Sequence, residues 1–441
     1  MNEPQCRTFK NVKTMKTTKL FFMAALALMT AACSNDDNDF ENPAQQPAEA
    51  QGIPFTATIS MGGDKATTRA LSENSSGLTA TWTVDEEVAL IHNGIIDKVT
   101  VASVSGNDAT ISGTITTDAD GAAVTVIFPY SAVDLDTKDV KADLLYAQSG
   151  GTLADVAAKY DVRKGTGTLK VSGTASLNDD VTLTNQFAIF KFTLQDLSAA
   201  AKNATEFKVS NGSGNVMTTV TPTSASGELY VALPVMAIGT YWFNATIDSK
   251  PYIAKATTAA TTVAGKYYQT TVKMATIGDV ILDNGKFAAP SSTGTKVAMI
   301  AYLGNGSDCT NGLAIQLNAS PASVDNWSAA CSYSSYPSIT GNPGTWRLPS
   351  KDDWQNMFVG CAKSGDATSP DDNGKMSPLA GFKEKIDATD ITWLSVNYWS
   401  STGSGSNAWY LNVSVNKMGA FARFYEGSTS KSCRVLGCLA F

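Results

Sequence analysis

Between Ile53 and Met274 apolar and polar residues alternate along stretch after stretch of the chain. Period-two alternation is what a strand with one buried face requires. In "IPFTATISM" the pattern puts Phe55, Ala57 and Ile59 on one face, and "VTVIF" does the same with Val124, Val126 and Phe128. "FAIFKFTL" aligns Ala188, Phe190, Phe192 and Leu194. "LYVALPV" aligns Leu229, Val231, Leu233 and Val235, and "YWFNATI" aligns Tyr241, Phe243, Ala245 and Ile247. Turn sequences such as "SGND", "DADG", "SNGSGN" and "SASGE" fall between these runs. Many short strands with regular turns predict β-sandwiches. Only "GGTLADVAAKY" and "LQDLSAAAKNA" have a helical look here. The Gly/Ser/Thr-rich "KGTGTLKVSGTASLNDD" predicts a division near residues 170–184, and "IGDVILDNGKFAAPSSTGTK" predicts a linker after Met274.

Beyond that linker the pattern changes. "PSKDDWQNMFVGCAKS" has helical spacing, with Trp354, Met357, Phe358 and Cys361 on one face. Ser350 stands where a cap belongs, and Asp353 follows at the third position of a capping box. "AWYLNVSV", "FARFYEGS" and "SCRVLGC" read as strands. Six of the eight tryptophans lie here: Trp327, Trp346, Trp354, Trp393, Trp399 and Trp409. So do Cys309, Cys331, Cys361, Cys433 and Cys438, all disulfide candidates in an exported chain. Five cysteines leave one over, and the pairing stays open.

At the other end, Leu20–Ala32 is an oily run flanked by Lys16 and Lys19. A membrane span needs about 20 apolar residues, so the shorter run reads as a signal-peptide core. Met15 is an alternative start. Small residues Thr30, Ala31 and Ala32 precede Cys33, and "SNDDND" follows. That arrangement resembles the lipobox of bacterial lipoproteins and the surface-export signal of Bacteroides-type lipoproteins, which implies lipid attachment at Cys33. An ordinary secretory signal is the plainer alternative. Residues 34–50 are polar and Pro/Gln/Ala-rich, the composition of a tether. Loss of residues 1–32 removes Arg7, Lys10, Lys13, Lys16, Lys19 and Glu3, moving the formal charge from −7 to −11. An acidic chain carries no electrostatic footprint for nucleic acid.

The β region resembles the fimbrillin-like proteins of Bacteroides and Porphyromonas. The resemblance rests on an ordered series: "TTRA", "TWTVDEEVALI", "VIFPYS", "DLLYAQS", "LTNQFAIFKFTL", "LYVALPV" and "GKYYQTTVKM". A His that many relatives carry in the fifth piece is absent. The resemblance implies two tandem transthyretin-like β-sandwiches, at 51–178 and 179–276. It also implies fimbrial assembly by strand exchange, after an arginine-specific protease cuts between Arg69 and Ala70. The loop "GGDKATTRALSENSSG" is polar and Gly-rich, which suits proteolysis.

The last part, 279–441, resembles the C-type-lectin-like domains at the ends of bacterial surface proteins, through "GTWRLPSKDDW", "NYWSSTGSGSNAWYLNV" and "KSCRV". This implies an α+β domain. Calcium-dependent sugar binding in that fold uses Glu-Pro-Asn or Gln-Pro-Asp with Trp-Asn-Asp, and none of these triplets occurs. "SPDDNGK" offers too few carboxylates for calcium, so no metal and no cofactor are expected. The Tyr/Ser/Gly/Asn-rich "CSYSSYPSITGNPG" has the composition of an adaptable binding loop. Tyr333 and Tyr336 within it, with Trp409 and Tyr410, are candidate ligand contacts.

Chemistry for catalysis is sparse. The one histidine, His92, has no nucleophile-elbow sequence to serve, and reads as an ordinary surface or turn residue. The expectation is a non-enzymatic surface lipoprotein that acts as a fimbrial subunit. A compact Cys-rich domain stands where a stalk subunit would carry a strand to donate, which points to the tip. Its expected partners are other fimbrial subunits, a surface glycan or protein, and the outer membrane through the lipid. The alternative is a lipid-anchored binding protein that never polymerises.

Overall fold

The computed structural model describes residues 52–441, apart from 63–71, 75–76, 80–81, 305–308, 318–321, 342–343, 365, 367–376, 390–394 and 417–418. The expected leader, Cys33, the tether, Arg69 and Ala70 lie outside the described residues. The described chain is mainly β and forms one compact unit. None of its helices is long and apolar enough to cross a membrane.

The first sheet closes on itself. Strand Ile53–Met61 pairs with Asp108–Ile115, which pairs with Ile95–Ser105. Then follow Glu87–His92, Ala123–Phe128 and Arg163–Ser172. Thr174–Leu177 and Val181–Asn185 both pair with Arg163–Ser172 and return to Ile53–Met61. The alternation read from sequence faces inward: Phe55, Ile59, Val124, Val126 and Phe128 sit in one core with Trp82. Trp82 meets Phe128 edge-on at 4.9 Å. The stretch expected to divide two domains near 170–184 is instead strand, and its last piece, Val181–Asn185, completes this barrel. Its glycines explain why it folds so tightly: a Cβ on Gly165 would sit 2.7 Å from the Thr182 carbonyl.

The helix expected in "GGTLADVAAKY" is present at Leu153–Lys159. Thr152 accepts from the Asp155 amide and completes a capping box. The other, "LQDLSAAAKNA", is not a helix. Its Asp196 carboxylate gathers the Ser198 and Ala200 amides and the Ser198 hydroxyl into a turn, and Ala199 turns left-handed at φ 68°. Asp side chains often win such local contests against helix.

From Ala188 onward the strands form a second sandwich around its own core. One layer holds Ala188–Asp196, Glu228–Leu233 and Tyr267–Thr276. The other holds Val216–Pro222, Ala204–Asn211, Gly239–Ile247 and Lys250–Thr258. Phe192, Phe207 and Phe243 meet between them at 5.1–6.0 Å. Val235 is exposed rather than inward, because Glu228–Leu233 ends just before Pro234. One further strand arrives from the first half of the chain: Ala147–Gly150 lies parallel to Val216–Pro222. Buried Gln148 locks it there, donating to Thr218 Oγ1 (3.0 Å) and the Ala232 carbonyl (2.6 Å) and accepting from the Ala232 amide. The boundary between the sandwiches is therefore not a single cut at 178.

The last part is α+β. One sheet runs Phe287–Ala288, Val280–Leu282, Lys296–Leu303, Gly312–Gln316, Cys438–Ala440 and Thr345–Arg347. The other runs Ala322–Val324, Cys433–Val435, Asn397–Ser404, Asn407–Asn416, Gly419–Ser428 and Ser377–Pro378. Helices Lys351–Cys361 and Ala380–Asp387 complete the core. Ser350 caps the first helix as its sequence predicts, and Trp354, Met357, Phe358 and Cys361 are all buried. Asp353 turns back to the Ser350 amide and also takes the Arg347 guanidinium. That explains the "WRLPSKDD" spacing: strand and helix are tied through one buried carboxylate.

The expected linker 277–296 is folded chain, not spacer. Trp242, on the face of its strand opposite the sandwich core, stacks on Phe441 at 5.9 Å. Ile253, Ala275, Ile281, Val297, Ile300 and Leu439 fill out this joint core.

Candidate functional site

The first candidate site is the slot that Ile53–Met61 occupies. This strand is hydrogen-bonded on both edges. Its antiparallel edge runs from Ile53 opposite Ile115 to Ser60 opposite Asp108. Its other edge meets Val181–Asn185 in parallel, Ile59 beside Val181 and Met61 beside Leu183, with Phe55 beside Ala175. Phe55, Ala57, Ile59 and Met61 point into the core at 1, 8, 0 and 7% exposure. Each large apolar side chain so buried stabilises by about 1.5–3 kcal/mol. The strand leaves its slot beside the turn Ser105–Asp108. There the Asn107 carbonyl accepts from both the Met61 amide and Trp82 Nε1, each at 3.0 Å. Beyond Gly62 the chain enters residues outside the description, which include Arg69 and Ala70.

The four aromatic contacts expected from sequence do not form one site. Tyr333 meets Tyr336 edge-on at 5.0 Å, and Tyr336 stacks on Trp346 at 5.8 Å. Burial raises the Tyr336 hydroxyl well above its ordinary pKa. Tyr333 and Tyr336 pack on the smaller core, while Ile339 and Trp346 belong to the joint core. Trp409 and Tyr410 are neighbours in one strand and so face opposite ways. Trp409 packs on the main core, with Lys351 Nζ 3.7 Å from its ring centroid. Tyr410 is 8% exposed and lies on the other face, against Trp399 and Tyr425.

That other face carries a group which sequence reading missed. Asn397, Asn412 and Arg423 stand opposite one another on three adjacent strands. Asn412 Nδ2 donates to Asn397 Oδ1 at 2.6 Å. The next row is Trp399, Tyr410 and Tyr425. The Arg423 guanidinium lies 4.3 Å from the Tyr425 ring centroid and donates to its hydroxyl at 3.3 Å. Lys431 Nζ lies 4.1 Å from the Tyr410 centroid and donates to its hydroxyl at 2.9 Å. The signal existed in "LNVSV" and "FARFYEGS", but only strand register brings Asn412 beside Arg423.

The disulfide candidates divide by core. Cys331 and Cys433 belong to the smaller cluster, while Cys309, Cys361 and Cys438 belong to the main one. Cys361, Cys433 and Cys438 are buried thiols in the structure. Burial pushes Cys361 up to about 12 and Cys433 up to about 11, and it raises Cys438 as well. Such thiols are not nucleophiles at neutral pH.

His92 is not a surface residue. It is 1% exposed, with Nδ1 2.9 Å from Asp118 and Nε2 2.7 Å from Asp97. Asp97 also accepts the Thr116 amide and hydroxyl. A ring held between two carboxylates ties the Glu87–His92 hairpin to the loop at Asp118. No serine or cysteine hydrogen-bonds to this ring among the described residues, and no metal-ligating cluster of His, Cys, Asp or Glu occurs among them.

No family model matches the chain, and no curated protein matches it. Several solved structures are similar. One is a fimbrial protein from Bacteroides ovatus ATCC 8483, at 15% identity and a TM-score of 0.23, covering 88% of this chain and 99% of that one. A putative cell adhesion protein from Bacteroides uniformis ATCC 8492 aligns at 14% identity and a TM-score of 0.29, covering 52% and 98%. A mutant form of the shaft pilin SpaA from Lactobacillus rhamnosus GG aligns at 13% identity and a TM-score of 0.22, covering 51% and 97%.

Proposed function

We propose that the chain is a surface-exposed lipoprotein that acts as a fimbrial subunit at the tip of the fibre, entering the fibre by protease-triggered strand exchange. The observation that carries this reading is the setting of Ile53–Met61. Its withdrawal would leave two unpaired strand edges, Asp108–Ile115 and Val181–Asn185, flanking a greasy slot. Exposed edges and apolar slots are what a donated strand satisfies.

The energetics set the order of events. Four inward side chains and two ladders hold the strand, so a cut after Arg69 does not by itself empty the slot. What the cut removes is the covalent tether, and with it the high effective concentration that keeps the strand in place. A strand from the next subunit then competes on equal terms. Assembly is thereby coupled to the arrival of a partner, and a naked slot need never be exposed.

The tip position is supported by Cys438–Ala440. This strand runs between Gly312–Gln316 and Thr345–Arg347, so it is not available for donation. The α+β unit, read as C-type-lectin-like, is then the adhesive head, which binds a surface glycan or protein without turning it over.

The test is treatment of intact cells or purified lipoprotein with an arginine-specific protease, followed by mass spectrometry. The expected product begins at Ala70 and takes up a synthetic donor strand in place of residues 53–61. Full-length copies that keep an acylated Cys33 and bind no donor strand would instead establish the non-polymerising, lipid-anchored alternative.

A further inference from the structure

We infer that the sheet face bearing Asn397, Asn412, Arg423 and Tyr425 is a binding site for acidic sugars, contacting a carboxylate-bearing ring. This rests on the adhesive-head half of the proposal above and is independent of strand exchange.

Cation placement is the first support. The formal charge of the chain is −7, yet this face sets Arg423 and Lys431 against aromatic rings with no carboxylate among the described residues pairing either of them. Several other described cations are matched to acids, Lys98 to Glu87 and Lys164 to Asp139 among them, while Lys255 lies over the Trp242 ring as Arg423 and Lys431 lie over tyrosines. Glu426 offers no compensation: it pairs across from Trp409, on the opposite face of the sheet, and bonds Asn407.

Unspent hydrogen-bonding capacity is the second. Arg423 Nε is buried and has no hydrogen-bond partner among the described residues, so the capacity open to a ligand lies on the terminal nitrogens of the guanidinium. Its one bond among the described residues goes from a terminal nitrogen to the Tyr425 hydroxyl, which leaves donors on the terminal nitrogens unused. A guanidinium fork matches a carboxylate in a planar, two-bond geometry. Asn412 and Asn397 bond each other through one donor and one acceptor. The free halves of the two amides offer a donor and an acceptor side by side, the complement of adjacent ring hydroxyls. Tyr425 is half-buried and shares the face.

Rigidity is the third. Asn397, Asn412, Arg423 and Tyr425 project from three paired strands, and Tyr425 stacks on Tyr410 at 5.5 Å and 12°. Sites on sheets hold their geometry better than sites on loops. Asn407–Asn416 is paired along both edges at these residues, whereas the outer edge of Gly419–Ser428 is paired only at Phe421 and Ala422 among the described residues. Polar groups spaced over one face favour a hydroxyl-rich ring.

Titration calorimetry of the chain from Ser34 onward is the test, with 3′-sialyllactose and digalacturonic acid as probes and lactose as the neutral control. At least one acidic probe is expected to bind, lactose is not, and binding weakens as salt rises. Arg423→Gln should cut affinity about tenfold or more, and Arg423→Lys should lose several-fold because it keeps charge without the fork. An unchanged thermal midpoint in both variants shows that the fold is intact, and Lys431→Gln gives a second, smaller loss should the Arg423 variants misfold. The proposal is overturned if neither acidic sugar binds at about 10 mM, if lactose binds as tightly, or if a poly-glutamate peptide binds with the same Arg423 dependence while the sugars do not. Because the measurement uses uncut monomer, its failure leaves the strand-exchange reading untouched, and failure of cleavage at Arg69 leaves this one untouched.

Discussion

Ile53–Met61 and Cys438–Ala440 are both central strands, paired on two edges, yet they differ in what lies on the far side. The first closes a barrel whose buried core takes in only Ile189 and Ala232 from the neighbouring sandwich, and its loss leaves the strand pairing of that sandwich intact. The second belongs to a sheet whose back is welded to that sandwich by Trp242, Phe441 and Leu439. A strand is exchangeable when its removal damages one replaceable layer, and fixed when it is shared between two cores. Burial does not separate the two cases, since both strands are buried.

The largest effect should come from the fixed strand. Truncation after Val435 is expected to unfold the last part outright, with loss of near-UV dichroism and new protease sensitivity between 279 and 435. A cut after Arg69 should leave that signal unchanged. If the truncated chain keeps its dichroism, the contrast fails.

Trp242→Ala opens the joint core, and large aromatic deletions of this kind cost about 3–5 kcal/mol. Chemical denaturation should show that loss, and the single transition should split as the last part uncouples. Ile59→Ala should cost about 2–5 kcal/mol, felt first in the barrel. It should also speed uptake of a donor strand, measured by fluorescence of a labelled peptide, whereas Trp242→Ala should not.

Asp279 gives a smaller, pH-dependent test at the same joint. Burial raises its carboxyl to about 6, against the opposing pull of the Thr276 amide and Lys385. The folded state therefore holds a proton that the unfolded state has released between pH 3.8 and about 6. Across that window this group's contribution to stability falls as pH rises, and the cost is fully present above it. Asp279→Asn keeps an oxygen for the Thr276 amide and removes the charge. It should stabilise by about 1–2 kcal/mol at pH 7.5 and by almost nothing at pH 3.5, read by urea denaturation. Equal stabilisation at both values would show that charge is not the cause.

Much of the fold was legible because alternation and capping are local. Phe55 and Ile59, the Thr152 cap and the Ser350–Asp353 box need only their neighbours in sequence. What was hidden depends on partners far away in the chain. Val181–Asn185 reads equally well as the start of the second sandwich until its pairing with Ile53–Met61 is known. Trp242 sits on the outward face of an apparently amphipathic strand, so nothing local reveals that Phe441 covers it. The aromatic rings in "CSYSSYPSITGNPG" have the composition of a binding loop, but Tyr336 finds Trp346 and packs. His92 reads as a turn residue because its two carboxylates lie outside its own strand. The Asn412–Arg423 pair was invisible for the same reason: register joins them, and register is a property of two strands.

The crossing at Ala147–Gly150 has a mechanical consequence. A chain placed at the head of a fibre, as proposed above, would be pulled. Tension between the first barrel and the second sandwich would have to slide Ala147–Gly150 along Val216–Pro222, with the Gln148 bonds stretched together rather than opened one at a time. Strands loaded lengthwise resist far more than strands peeled from one end. The backward step of the chain, which made the domain border hard to read, makes that border a shear joint.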